Sequence, residues 1–216
     1  MALDVYSGEY AKFFAAAEDG IDFMGADNLV GDKYVIDIRD EADGYKAYLV
    51  NRFGKDIGYL ENRMVRPIQI AQAKGWNTCA FLSFVAFTQG TGEENPGYYW
   101  GQMAVLCYDP KIAPAMEVFE PRLAAKMADG ARPQVDFGAQ SVDKLVKNPG
   151  EWFPVDKAAR PKLDKNSSIV KDHRTPNERL IEESRKGNKG CYVLSYAFII
   201  AVIALVIWGL HSCGVF

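Results

Sequence analysis

Between residues 33 and 108 the apolar positions recur mostly with a period of two. Tyr34, Ile36 and Ile38 alternate with largely polar neighbours over Lys33–Asp40, which predicts a half-buried strand. Asp43-Gly44 is a turn signal, and Tyr45–Asn51 and Ile57–Leu60 read as two further strands around an FGKD turn at 53–56. Thr78–Thr88 is apolar at both alternating sets of positions, the pattern of a central strand covered on both faces. Tyr98–Tyr108 is its expected antiparallel partner across a loop at 90–97. Helical spacing flanks this β-rich centre. Tyr10, Phe13, Phe14 and Ala17 after Ser7 predict an amphipathic first helix, and Pro67 and Gly75 punctuate a second over Arg63–Lys74. A third covers Ala115–Ala128 with a break or fresh start at Pro121, and Ser141 is the expected cap of a last short helix at 142–148. The expectation is an α+β fold, a small antiparallel β-barrel-like domain flanked by helices, over residues 1–152.

The pattern then changes twice. Residues 153–190 are polar, with Pro154, Pro161 and Pro176, and read as an extended linker. Within it a short helix is expected over 176–186. Thr175 and Glu178 form a capping box, Pro176 takes the first helical position, and Glu182 faces Lys186 one turn on. From Cys191 to Leu210 there are 20 residues without a charge, and at about 1.5 Å per helical residue they match a hydrocarbon core of roughly 30 Å. This predicts one C-terminal transmembrane helix, with Tyr192, Tyr196 and Trp208 near its ends and a short outer tail at 211–216. Arg179, Arg185, Lys186 and Lys189 precede the span, the tail holds no Lys or Arg, and no secretory signal opens the chain. The expected topology is therefore a single-pass membrane protein with its N-terminal domain cytoplasmic.

Composition refines this division. At 49% hydrophobic and 12% aromatic, with 4 Cys in 216 residues, the chain is neither disordered nor a disulfide scaffold. Residues 1–150 carry net −6, residues 151–190 net +3 and residues 191–216 no charge. Inside the acidic domain, residues 45–75 carry a local +4, with Tyr45, Tyr48, Phe53 and Tyr59 interleaved. Basic and aromatic residues together are what single-strand or nucleotide binding requires. Tyr48, Arg52, Lys55, Tyr59, Arg63 and Arg66 are thus candidate ligand-binding residues. The competing reading makes Tyr48 and Tyr59 core and the charges a solvated face, and the domain's overall negative charge repels polyanions. Pro96, Tyr98, Tyr99 and Trp100 are a candidate partner surface at a loop base, or else pack against the flanking helices.

Catalytic chemistry has little support. Both histidines, His173 and His211, lie outside the expected domain, so a histidine base or metal ligand is not to hand within it. Cys79 and Cys107 fall on two strands that look buried and could face each other there. Small apolar core roles suit them better than a nucleophile's. Gly90-Thr91-Gly92 lacks the Gly-Lys-Ser/Thr of a phosphate loop. No catalytic residue, cofactor or metal is expected.

The element order of Lys33–Asp109 resembles a divergent HIRAN domain, a small β-barrel with a helix over one opening. The residues that carry the resemblance are Asp43, Ala47 and Val50, then Gly54 and Ile57-Gly58-Tyr59-Leu60, a helix ending in Lys74-Gly75, and the Ala80–Thr88 strand. The family's Asn-Pro-Tyr-Asp run is replaced by Asp40-Glu41-Ala42-Asp43, and the spacing from Asp43 to Ala47 is one residue long. The resemblance implies a barrel that binds the 3′ end of single-stranded DNA. Two functions are carried forward: a membrane-tethered module that binds a protein or nucleic-acid partner, and an accessory subunit of a larger membrane assembly.

Overall fold

The computed structural model describes residues 5–15, 23–92, 95–185 and 198–203. Its strands are β1 Tyr6–Phe14, β2 Lys33–Glu41, β3 Gly44–Val50, β4 Asp56–Leu60, β5 Asn77–Gly92, β6 Asn95–Tyr108 and β7 Ser167–Lys171. Helix α1, Val65–Ala73, lies between β4 and β5, while α2, Ala113–Ala128, and α3, Ala139–Lys147, follow β6. Helix α4, Pro176–Arg185, follows β7. Residues up to Arg174 make one compact unit and those from Thr175 a second.

The first unit is α+β, built on a seven-stranded antiparallel sheet in the order β2-β3-β4-β1-β6-β5-β7. The sheet is barrel-like, because Lys33 and Tyr34 of β2 also pair with Phe81 and Ala80 of β5. Alternation sends one set of side chains inward: Phe13 on β1, Ile36 on β2, Leu49 on β3, Ile57 on β4, Leu82 on β5 and Met103 on β6 share one buried cluster. Val65, Ile68 and Ala71, one stripe of α1, join it. A second cluster forms on the outer face, where Tyr6, Phe81 and Leu106 meet Met116, Phe119 and Leu123 of α2 and Val142 and Leu145 of α3. The expected strands over 33–60 and the long hairpin of β5 and β6 are all present.

Several expectations are corrected. The first helix is instead strand β1, because its apolar residues serve two faces: Ala11 and Phe13 point inward while Tyr6 and Phe14 point outward. Apolar residues on both faces imitate a helical stripe, and the pairing of β1 with β4 and β6 decides between the two. The expected loop at 90–97 narrows, since β5 runs to Gly92 and β6 starts at Asn95. Helix α2 continues through Pro121, which is exposed and held between buried Phe119, Glu120 and Leu123. The carbonyl freed four residues back belongs to exposed Glu117, where water can satisfy it. Ser141 is not a cap but lies inside α3, whose N-cap is Gly138. The expected linker supplies a strand: Ile169 and Ser168 of β7 pair with Ala86 and Phe87 of β5, on the stretch of its edge beyond the pairing with β2. An unpaired edge needs a partner, and even a polar tract can supply backbone hydrogen bonds. Cys79 and Cys107 do not face each other; they join the outer and inner clusters, on opposite faces of the sheet.

In the second unit the Thr175 capping box forms as expected. The Glu178 carboxylate accepts from the Thr175 N–H at 2.8 Å, and the Thr175 hydroxyl accepts from the Glu178 N–H at 3.3 Å. Lys186, and the expected span 191–210 apart from helical residues 198–203, lie outside the described residues. No helix among the described residues is long and apolar enough to cross a membrane.

Candidate functional site

The outer face of the sheet has an end that α2 and α3 do not cover. There, strand register sets four aromatic residues side by side on consecutive strands: Tyr48 of β3 pairs with Tyr59 of β4, Tyr59 with Phe14 of β1, and Phe14 with Trp100 of β6. Direct cross-strand partners stand about 4.5–5.5 Å apart at Cβ, so their rings meet. Ring centroids are 6.3 Å apart for Tyr48–Tyr59 and 6.0 Å for Phe14–Tyr59. Tyr98, two residues before Trp100 and on the same face, lies 6.4 Å from Phe14. Burial grades along the row. Tyr48, Tyr59 and Phe14 are half-buried, Tyr98 is exposed, and Trp100 is buried with its indole N–H donating to the Thr88 hydroxyl at 2.9 Å.

Three cations lie on these rings. Arg39 is 4.6 Å from the Tyr48 ring, Lys46 is 5.7 Å from Tyr59, and Lys12 is 4.9 Å from Phe14 and 4.3 Å from Trp100. Carboxylates then hold two of them. Arg39 forks onto both oxygens of Asp56 and also reaches Asp37 at 2.8 Å, while Lys46 contacts Asp43 at 3.1 Å and Glu41 at 3.6 Å. The Arg39 guanidinium holds the Asp56 carboxyl below the usual carboxylate range, and Lys46 does the same for Asp43. The Tyr48 hydroxyl donates to Glu41 at 2.6 Å, a bond that raises its pKa.

The candidate residues read from the sequence divide among several places. Tyr48, Tyr59, Tyr98 and Trp100 fall on this one face, so two regions that looked separate in sequence form one surface. Tyr99 alternates to the other side, 4.8 Å from the Phe87 ring and packed on the interior cluster; Pro96 lies further along β6. Arg52 and Lys55 sit in the turn between β3 and β4, with the Arg52 guanidinium 5.0 Å from Phe53. Arg63 is held by Glu9 at 2.7 Å and Glu61 at 2.8 Å, and Arg66 projects from α1 into a separate groove. The cations of 45–75 therefore do not converge on the aromatic row, where only Lys46 lies. Lys12, Phe14, Arg39 and Lys46 are the members absent from the candidates read from the sequence; the signal for the first two was a period-two pattern masked by the helical one.

The border with the covered end is marked by Arg132. Its buried guanidinium lies 3.7 Å from the Tyr10 ring centroid and donates to Ser83, Gln102 and the Ala159 carbonyl, with burial pulling its pKa down. Under α2, buried Glu120 accepts from Lys33 at 2.6 Å, from the Tyr108 hydroxyl at 2.8 Å and from the Cys79 thiol at 3.5 Å. Burial pushes the Cys79 thiol far above its ordinary range and Cys107 up to about 11, so both stay protonated at neutral pH. Among the described residues no three His, Cys, Asp or Glu side chains gather as a metal site requires.

Comparisons with protein-family models, with characterised proteins and with solved structures yield no significant match.

Proposed function

We propose that this chain is a membrane-tethered binding module: a small β-barrel domain on the cytoplasmic side, carried by a C-terminal transmembrane helix at 191–210, that recognises a protein partner and performs no catalysis of its own. The observation that carries the reading is the register-matched row Tyr48, Tyr59, Phe14 and Trp100 with Tyr98 beside it. Clustered aromatic anchors with an arginine among them and a polar rim are the composition of protein interfaces. A protein fits this face better than single-stranded DNA because Arg39 and Lys46 already have carboxylate partners, and a phosphate chain would have to displace them. The uncharged 191–210 segment and the basic residues before it support the anchor and its orientation.

A photo-crosslinking amino acid at position 98, in the full chain expressed in cells, tests the reading. A discrete protein adduct is expected that is absent when the crosslinker stands at Lys111 and is lost on Phe14→Ala plus Tyr59→Ala. Equal crosslinking at both positions, or tight binding of a 3′-ended single-stranded oligonucleotide abolished by the same pair of substitutions, would overturn it.

A further inference from the structure

The β2–β3 hairpin has a second face. Arg39, Lys46 and Tyr48 point to the aromatic row, whereas Ile38 and Tyr45 point to the other side, where α1 runs past them. Helix and hairpin enclose an open groove of about 610 Å³. Along α1 the groove is walled by Arg66, Gln69, Ile70 and Lys74, positions spaced by three, four and eight residues and so on one stripe of the helix. Tyr45 and Ile70 are 53% and 43% exposed, large apolar side chains left in water on opposite walls. The Lys74 ammonium lies 5.1 Å from the Trp76 ring, and Arg66 is exposed. Among the described residues, none that lines the groove carries a carboxylate. Its chemistry is an apolar centre with one cation towards each end.

We propose that this groove binds an extended acidic peptide segment of a partner protein, with two carboxylate residues four positions apart and an apolar residue midway between them. The spacing follows from the helix. Arg66 and Lys74 are eight residues apart, about 12 Å along α1 at about 1.5 Å per residue. An extended peptide advances about 3.3 Å per residue, so side chains four positions apart span about 13 Å and can meet both cations. Residues two positions apart in an extended chain share a face, so the midway residue points the same way as the two acids, into the space between Tyr45 and Ile70.

Charge complementarity selects a peptide over a nucleic acid. On the groove side of the hairpin stands Asp40, the register partner of Tyr45, while Asp37 and Glu41 alternate to the other face. A nucleic acid carries a charge at every phosphate and would run against the Asp40 carboxylate between the two cations. A peptide places its charges only at the two cations. The groove and the aromatic row lie on opposite faces of the hairpin, so failure of either site leaves the other reading intact.

The test uses the full chain in nanodiscs of neutral lipid. The probe is a fluorescent nine-residue peptide with aspartate at its third and seventh positions, leucine at its fifth, and serine and glycine elsewhere. Saturable binding at low salt is expected, falling by at least about tenfold on Arg66→Glu plus Lys74→Glu and weakening with added salt. Ile70→Ser should weaken it through lost apolar contact, and Asp40→Asn should strengthen it. A control pair, Lys111→Glu plus Lys147→Glu, changes net charge equally away from the groove and should leave affinity unchanged; thermal melts confirm that each variant is folded. Absence of saturable binding overturns the proposal, as does equal loss in the control pair. So does tighter binding of an oligothymidylate that depends on the same two cations.

Discussion

The two ends of one sheet face solve the same problem differently. Under α2 and α3 the outward side chains of β1, β5 and β6 are Tyr6, Cys79, Phe81, Ala104, Leu106 and Tyr108, all buried against apolar partners. At the open end the outward residues are Phe14, Tyr48, Tyr59 and Tyr98, just as bulky but with no covering layer among the described residues. There Lys12, Arg39 and Lys46 lie over the rings, and carboxylates hold Arg39 and Lys46 in turn. The covered end gains stability by excluding water. The open end keeps aromatic surface presentable in water by pairing it with charge, which suits contact with a partner rather than core packing.

Truncating one ring at each end should therefore give very different costs. Phe119 is almost fully buried, with its ring centroid 5.3 Å from Phe137 and 5.4 Å from Phe153. Phe119→Ala should destabilise by about 3–5 kcal/mol in urea unfolding. Phe14→Ala removes a half-buried ring and should cost only about 1 kcal/mol. Equal losses would mean that the aromatic row is core and not a presented surface.

A smaller effect tests how the open end is held. Gly58 sits next to Tyr59 with φ +148°, and a Cβ there would lie 2.2 Å from the Phe14 carbonyl oxygen, which is backbone and cannot swing away. Gly58→Ala should therefore cost about 1–3 kcal/mol, from the strained backbone and the forced separation of β4 from β1. Weakened near-ultraviolet circular dichroism from the displaced tyrosines is the second readout. A neutral effect would show that the strands approach less closely than the row requires.

Much of the sheet is legible in the sequence, and the exceptions share a cause. β2 has one largely polar face and so alternates openly, as Tyr34, Ile36 and Ile38 show. β1 is apolar on both faces, and only its neighbours β4 and β6 decide it is a strand. β7 has almost no pattern of its own and is recruited by the free edge of β5. The site was half visible for the same reason. Tyr48 and Tyr59 lie on recognisable strands, and Tyr98 and Trp100 stood out as aromatics. What joins them is register across β1, a long-range property that no local window contains.

Two ion pairs extend the comparison at lower magnitude. At the covered end Glu120 is buried beneath half-exposed Lys33 and also accepts from Tyr108. Glu120→Gln keeps the shape and removes the charge, and should cost about 1–2 kcal/mol, moderated by the water that reaches Lys33. The Cys79 thiol reports on the same region. Because burial first and the Glu120 carboxylate second keep Cys79 protonated, it should resist alkylation at pH 8 in the native chain, and Glu120→Gln should speed its modification by removing the second cause while burial remains. Rapid native alkylation would place Cys79 outside the covered end.

The smallest expected effect belongs to Arg39 and Asp56, the equivalent pair at the open end, whose side chains are 38% and 43% exposed. Solvent screening limits such a pair to about 0.2–1 kcal/mol, so Asp56→Asn should lie in that range at neutral pH. Its pH dependence is the sharper test. Arg39 lowers the folded-state pKa of Asp56 beneath its unfolded value, which for aspartate is about 3.9. Between those two values the unfolded chain takes up the proton more readily than the folded one, so the pair's contribution is complete above the unfolded pKa. It is lost as pH falls through the lowered folded value. The gap in stability between wild type and Asp56→Asn should thus be constant from neutral pH down to about pH 5, then close in stronger acid. Added salt at neutral pH should narrow the same gap, whereas the cost of Glu120→Gln should respond less, because that carboxylate is shielded from the ionic atmosphere. Identical salt responses for the two pairs would erase the distinction between a covered and an open end.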